Sequence, residues 1–147
     1  MSKVSIAVPQ ETVPVDRGRM REVARAVLAG EGHDNAEVSL AFVDNATIHR
    51  LNRQFLDHDE PTDVLSFPLS ESKGRLSGEL VIGAEVARAQ AEARGHDLQA
   101  ELALYVIHGL LHLCGYDDKT DDAAREMRQR ERHYLAALGL PDITEQS

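Results

Sequence analysis

The sequence predicts an α+β fold: one domain in which about four strands form a mixed sheet packed with about five helices, its candidate site at the end of a central buried helix. Three observations carry this. Stretches of two-residue apolar period alternate with stretches of helical period in the first half of the chain, and three helices follow one another in the second. One of those helices is apolar on nearly every side, which places it in the core. No repeat or low-complexity run divides the 147 residues, so a single domain over residues 1–147, with an ordered core from about 3 to 140, is expected.

Val4, Ile6 and Val8 alternate as a half-buried strand that Pro9 ends. Asp16 then caps a helix to about Gly30 with Val23 and Val27 on its apolar stripe. The run "EVSLAFV" alternates Val38, Leu40 and Phe42 as a second strand, and Asn45 caps a short helix carrying Ile48, Leu51 and Phe55. A polar loop closed by Pro61 delivers a strand around Val64 to Phe67. After the turn "ESKGRLSG", the strand "ELVIG" puts Leu80 and Ile82 on one face and Glu79 and Val81 on the other. A helix from about Ala84 to Arg94 stops at Gly95; Asp97 caps the next, which runs to about Cys114 and stops at Gly115. The last helix begins near Thr120 to Asp122 and ends at Gly139.

The formal charge of −9 excludes a protein that coats nucleic acid non-specifically, because such binding depends on many lysines and arginines. Any RNA contact needs a local basic track. Arg50 and Arg53, Lys73 and Arg75, and Arg125, Arg128 and Arg132 are the candidates, although Glu126 and Glu131 between the last three favour a solvated, salt-bridged face. Cys114 is the single cysteine, so no intramolecular disulfide forms. The N-terminus lacks the apolar core of a signal peptide and no apolar run is long enough for a bilayer, so a cytoplasmic protein without membrane contact is expected.

The stretch "HGLLHLCGYDD" carries the chemistry. Residues four apart lie about 40° apart around a helix, so His108 and His112 share a face and can grip one ion. Gly115 can end the helix in a left-handed conformation and return the chain, which brings Asp118 toward the same ion. Asp117 is the alternative, but the spacing from the glycine favours Asp118. The resulting pattern, H-x3-H-x2-G-x2-D, has the spacing of extended zinc-binding helices with aspartate in the third position. Three protein ligands leave a position open, as catalytic zinc sites do, and one ion per chain is expected. Gly109 stands where a metalloprotease places its glutamate base, which argues against a zinc peptidase. Cys114 points away from the histidine face, and His58 reads as a solvated residue of an acidic loop with Asp57, Asp59 and Glu60. His33, His49, His96 and His133 have no ligand geometry.

Together, "HGLLHLCGYDD" and "LNRQFLDHDEPTDVLSFPL", with "SGELVIG" between them, make the chain resemble the YbeY family of single-domain metallo-endoribonucleases. The resemblance implies zinc on His108, His112 and Asp118, the last at a position where most of the family has histidine. It implies a single-strand-specific endoribonuclease acting on ribosomal RNA precursors, in 16S rRNA 3′-end maturation and ribosome quality control. Its partners would be single-stranded RNA and the ribosomal small subunit or ribosome-associated proteins, with no DNA. Phe55 holds the family's aromatic position, but Leu56 follows where a basic residue is frequent. Thr62, Asp63, Ser66 and Glu79 are the cleft candidates for contact with substrate, each also readable as part of a capped turn or strand. The nucleophile, water or the RNA's own 2′-hydroxyl, stays open. The competing reading is a ribosome-assembly or RNA-binding factor whose metal only supports the fold.

Overall fold

Valine, leucine and phenylalanine at every second position bury one face of a strand, and this alternation organises the sheet in the computed structural model, which describes residues 2–56, 63–69 and 75–144. The strands are β1 (Lys3–Ala7), β2 (Glu37–Val43), β3 (Val64–Pro68) and β4 (Ser77–Gly83); the helices are α1 (Arg17–Gly30), α2 (Asn45–Leu56), α3 (Ala84–Arg94), α4 (Leu98–Leu113) and α5 (Asp121–Ala137). The sheet order is β1-β2-β4-β3. β1 and β4 both run parallel to β2, and β3 lies antiparallel to β4, so the sheet is mixed as expected.

The two faces are covered unequally. Val38, Leu40, Phe42, Leu80 and Ile82 join the main core with α1, α3 and α4. Val43, Leu65 and Val81 pack on the opposite face against Ile48 of α2. β4 therefore divides its side chains as its sequence pattern requires, with Glu79 the exposed residue on the α2 face.

Helix α4 is the central element, packed against α1, α3, α5, β3 and β4. Leu102, Val106, Ile107, Leu110 and Leu111 are fully buried, each contributing about 1.5–3 kcal/mol relative to exposure. Gly109 allows the sheet close: a Cβ there would come within 3.0 Å of Leu80 and Val64. Asp97 caps α4 through a 3.1 Å bond from the Ala100 amide, and Asp16 and Thr120 cap α1 and α5 in the same way.

One cap differs from expectation. Asp44, not Asn45, caps α2, because its carboxylate accepts the Thr47 amide at 2.8 Å while the Asn45 amide donates to Glu85. Strand β1 also stops at Ala7, one residue before Val8. Among the described residues no helix is long and apolar enough to cross a membrane.

The end of α1 is fastened to α5. Glu31 Oε2 accepts Arg130 Nη2 at 2.5 Å and the Tyr134 hydroxyl at 2.5 Å, with the Arg130 guanidinium 5.1 Å from the centre of the Tyr134 ring. Burial would raise the Glu31 pKa, but hydrogen bonds from Tyr134, Arg130 and Tyr116 outweigh it and hold the carboxylate below its ordinary 4.5. A Cβ on Gly30 would sit 2.3 Å from the Tyr134 oxygen. Gly30→Ala should therefore destabilise by about 1–3 kcal/mol through overpacking, outweighing the roughly 1 kcal/mol helix-propensity gain of alanine. Denaturant unfolding checks the sign; a more stable variant would refute this packing role.

Candidate metal centre

The central helix projects both histidine rings from one side, and their environment fixes which nitrogen each presents. His108 Nδ1 lies 2.6 Å from Glu131 Oε2, and His112 Nδ1 lies 3.0 Å from the Tyr116 carbonyl oxygen. A carbonyl only accepts, so His112 Nδ1 carries the proton, and the carboxylate makes the same demand of His108. Both Nε2 lone pairs are then left facing each other, 3.0 Å apart, with the rings at 83°. Two zinc–nitrogen bonds of 2.0–2.1 Å at a tetrahedral angle set a separation of about 3.3 Å, close to what these rings already hold. A cation shared between them would relieve the repulsion between the lone pairs.

The third member arrives through the glycine cap. Gly115 has φ 105°, its amide bonds the His112 carbonyl at 3.1 Å, and the Tyr116 amide returns to Leu111 at 3.0 Å. That geometry aims the Tyr116 carbonyl at His112 and carries the chain on to Asp118. One ligand atom each from His108, His112 and Asp118 lie within 4.8 Å of one another. Asp117 instead accepts the Lys119 amide at 3.0 Å and borders a cavity on the other side of the turn with Glu31, Cys114 and Glu126. The residues present fit a transition-metal ion: two oriented imidazoles, a carboxylate, and outer partners that set the tautomers.

The surroundings are anionic. Burial opposes charging the His108 ring, yet the Glu131 hydrogen bond and charge, together with the charges of Asp63 and Asp118, prevail and raise its pKa above 6.5. Negative potential of this kind attracts a cation. Cys114 takes no part; burial pushes its thiol up to about 11, and it packs against the main core.

The cleft candidates divide. Asp63 precedes β3, its carboxylate accepting the Val64 amide at 2.8 Å and acting electrostatically on His108. Ser66 donates its hydroxyl to the Gly109 carbonyl at 3.1 Å, tying β3 to α4. Glu79 is registered against Phe67 and lies on the other face of the sheet, so it does not join the group. Thr62, with Asp57, His58, Asp59, Glu60 and Lys73, falls outside the described residues. Phe55 is exposed and stands edge-on to Phe67, ring centres 5.6 Å apart.

Several arginines of the proposed basic track are already engaged. Arg75 pairs with Glu37 at 3.6 Å, Arg125 with Asp122 at 3.1 Å and Arg132 with Asp142 at 3.2 Å. Arg50 and Arg128 are exposed.

Glu131 corrects the sequence reading. It belongs not to a solvated charged face but to the buried stripe Met127, Glu131, Tyr134, Leu135 of α5. A lone acid inside an apolar helical stripe was the available signal.

The fold and the His-His-Asp group define a single-domain α+β protein with a metal centre candidate where its central helix ends. The family described as "Endoribonuclease YbeY" matches residues 5–139. A protein named "Endoribonuclease YbeY" from Sulfurovum sp. (strain NBC37-1) is 43% identical over 90% of this chain and 88% of its own length. One of the same name from Pelotomaculum thermopropionicum is 43% identical over 89% and 93%. The solution structure of TM1509 from Thermotoga maritima superimposes with a TM-score of 0.66 at 28% identity, over 92% of this chain and 88% of that one. The chain belongs to the YbeY endoribonuclease family.

Two measurements test the centre. Glu131→Gln should weaken metal affinity about 10–100-fold, the usual cost of losing an outer-shell partner, as read by competition with a chelating dye; unchanged affinity would remove Glu131 from the site. Asp118→Ala should lower metal affinity while Asp117→Ala leaves it unaltered, and the reverse result would move the ligand role to Asp117.

Proposed function

We propose that this chain is a zinc-dependent endoribonuclease that cuts single-stranded RNA, with ribosomal RNA precursors, including the 16S 3′ end, and defective ribosomes as its targets in the cytoplasm. The observation that carries the reading is the convergence of the His108 and His112 Nε2 atoms, with Asp118 beside them, in a chain of this family. His108, His112 and Asp118 would hold the zinc, one ion per chain. When bound, zinc supplies Lewis acidity toward a phosphate oxygen and an open coordination position.

The chain's own residues do the rest. Glu131 and the Tyr116 carbonyl keep each ring in the tautomer that presents Nε2. Ser66 and Gly109 hold β3 against α4, giving the site one wall. Asp63 adds negative charge close to His108, strengthening cation binding in a protein whose total charge is already −9.

Cleavage of a single-stranded ribosomal RNA fragment should fall by at least about 100-fold in His112→Ala, more than loss of an outer-shell partner costs. Equal cleavage by both proteins would assign the activity to a contaminant. The 3′ ends of the products separate the two nucleophiles: a cyclic phosphate follows attack by the 2′-hydroxyl, and a hydroxyl or linear phosphate follows attack by water.

A further inference from the structure

Beside the metal group lies a groove of about 310 Å3 lined by Val64, Leu65, Ser66, Pro68, His112 and Leu113. Its position matters because His112 belongs to both. The groove runs between the C-terminal end of α4 and β3, which is the edge strand of the sheet among the described residues.

Strand geometry fixes what that edge presents. The Gly83 amide bonds the Asp63 carbonyl at 2.7 Å, and the Leu69 amide bonds the Ser77 carbonyl at 2.9 Å, so residues 63, 65, 67 and 69 turn their backbone groups toward β4. Alternation then turns those of Val64, Ser66 and Pro68 outward. Proline, which has no amide proton, occupies one of these outward positions, as an edge strand permits. The Val64 amide is taken by the Asp63 carboxylate. Among the described residues, none pairs with the Ser66 backbone on this side, so the edge there offers an amide donor and a carbonyl acceptor side by side. The side chains of Val64 and Ser66 face α4, with Val64 beside Gly109 and the Ser66 hydroxyl bonded to its carbonyl.

We propose that this groove is a nucleobase subsite, receiving the base of a nucleotide next to the scissile phosphate. The inference rests on the endoribonuclease reading and adds to it the group that the site holds besides phosphate. Neither lysine nor arginine is among the six lining residues, which disfavours a phosphate there, and Val64, Pro68 and Leu113 supply apolar surface for a flat ring. The paired donor and acceptor of Ser66 match the polar edge of a base. A base can enter only when it is unpaired and unstacked, so the groove itself would impose the preference for single strands.

The test uses the full-length, zinc-loaded protein and a set of single-stranded RNA oligonucleotides of one sequence. Each carries one abasic ribose, stepped across the cleavage site. An abasic residue at one position flanking the scissile phosphate should lower kcat/KM by about tenfold or more, the scale of one lost base contact, chiefly through KM. Abasic residues elsewhere should change it little. Pro68→Trp, at an exposed position on the groove's rim, should raise KM for intact RNA, leave zinc affinity unchanged and abolish the difference between intact and abasic substrates. Cleavage that is indifferent to where the abasic residue lies overturns the subsite while leaving the endoribonuclease reading in place. Absence of cleavage of every RNA overturns both. Displacement of RNA by a short extended peptide but not by free nucleosides would also overturn the base subsite, in favour of a peptide adding to the β3 edge.

Discussion

The left-handed turn at Gly115 ends the central helix, and three features of the candidate metal centre hang from it. It satisfies carbonyls of the last turn of α4 through the Gly115 and Tyr116 amides, and it aims the Tyr116 carbonyl at His112. It then carries the chain on to Asp118. A side chain at position 115 would meet nothing within 4 Å, so space does not demand glycine there. The positive φ does, since a residue with a Cβ is strained in that region. One backbone conformation thus settles helix termination, imidazole tautomer and ligand position together. The Tyr116 side chain contributes from the other direction, helping to hold the Glu31 pKa down where α1 meets α5.

A buried helix is an expensive place for polar groups, and α4 carries a row of them at helical spacing: Glu101, Tyr105, His108 and His112. Each has a partner. Glu101, 1% exposed, accepts from His96 Nδ1 at 2.7 Å and interacts electrostatically with Tyr105, whose hydroxyl is pushed well above its ordinary range by burial and by the charges of Glu101 and Asp63. His108 has Glu131 and His112 has a backbone carbonyl. Removing a single partner from such a row leaves an uncompensated buried group, which costs more than the net worth of the bond. These partners fix the orientation of both rings, and that orientation holds two Nε2 atoms face to face.

What the sequence discloses follows the range of the interactions concerned. The strands of Val38 to Phe42 and Leu80 to Ile82 and the helix caps at Asp16 and Asp97 are local patterns, legible within a few residues. So are His108, His112 and the glycine return to Asp118, because they lie within one helix and its cap. Glu131 is 23 positions from His108, and its charged neighbours in "REMRQRER" hide the buried stripe it belongs to. Glu79 shows the converse. Its place in a strand is evident, but which face looks toward α4 depends on where α2 and α4 pack. Asn45 and Asp44 are both good caps, and only the hydrogen bond to Thr47 separates them.

The aspartate at position 118 also shapes the electrostatics of the candidate centre. Glu131, Asp63 and Asp118 all act on His108, so the surroundings of the ring are anionic. A phosphodiester is repelled by such a field, and the total charge of −9 offers no general compensation. Under the proposed function, a bound dication would offset much of this local charge before or as a phosphate binds. With histidine at position 118 one of those negative charges would be missing, and the cation-free site would repel RNA less. The aspartate would therefore, under the proposed function, couple cation occupancy to RNA affinity more tightly than histidine. Under the same proposed function, the apolar groove beside His112 would supply attraction that the charges around it do not.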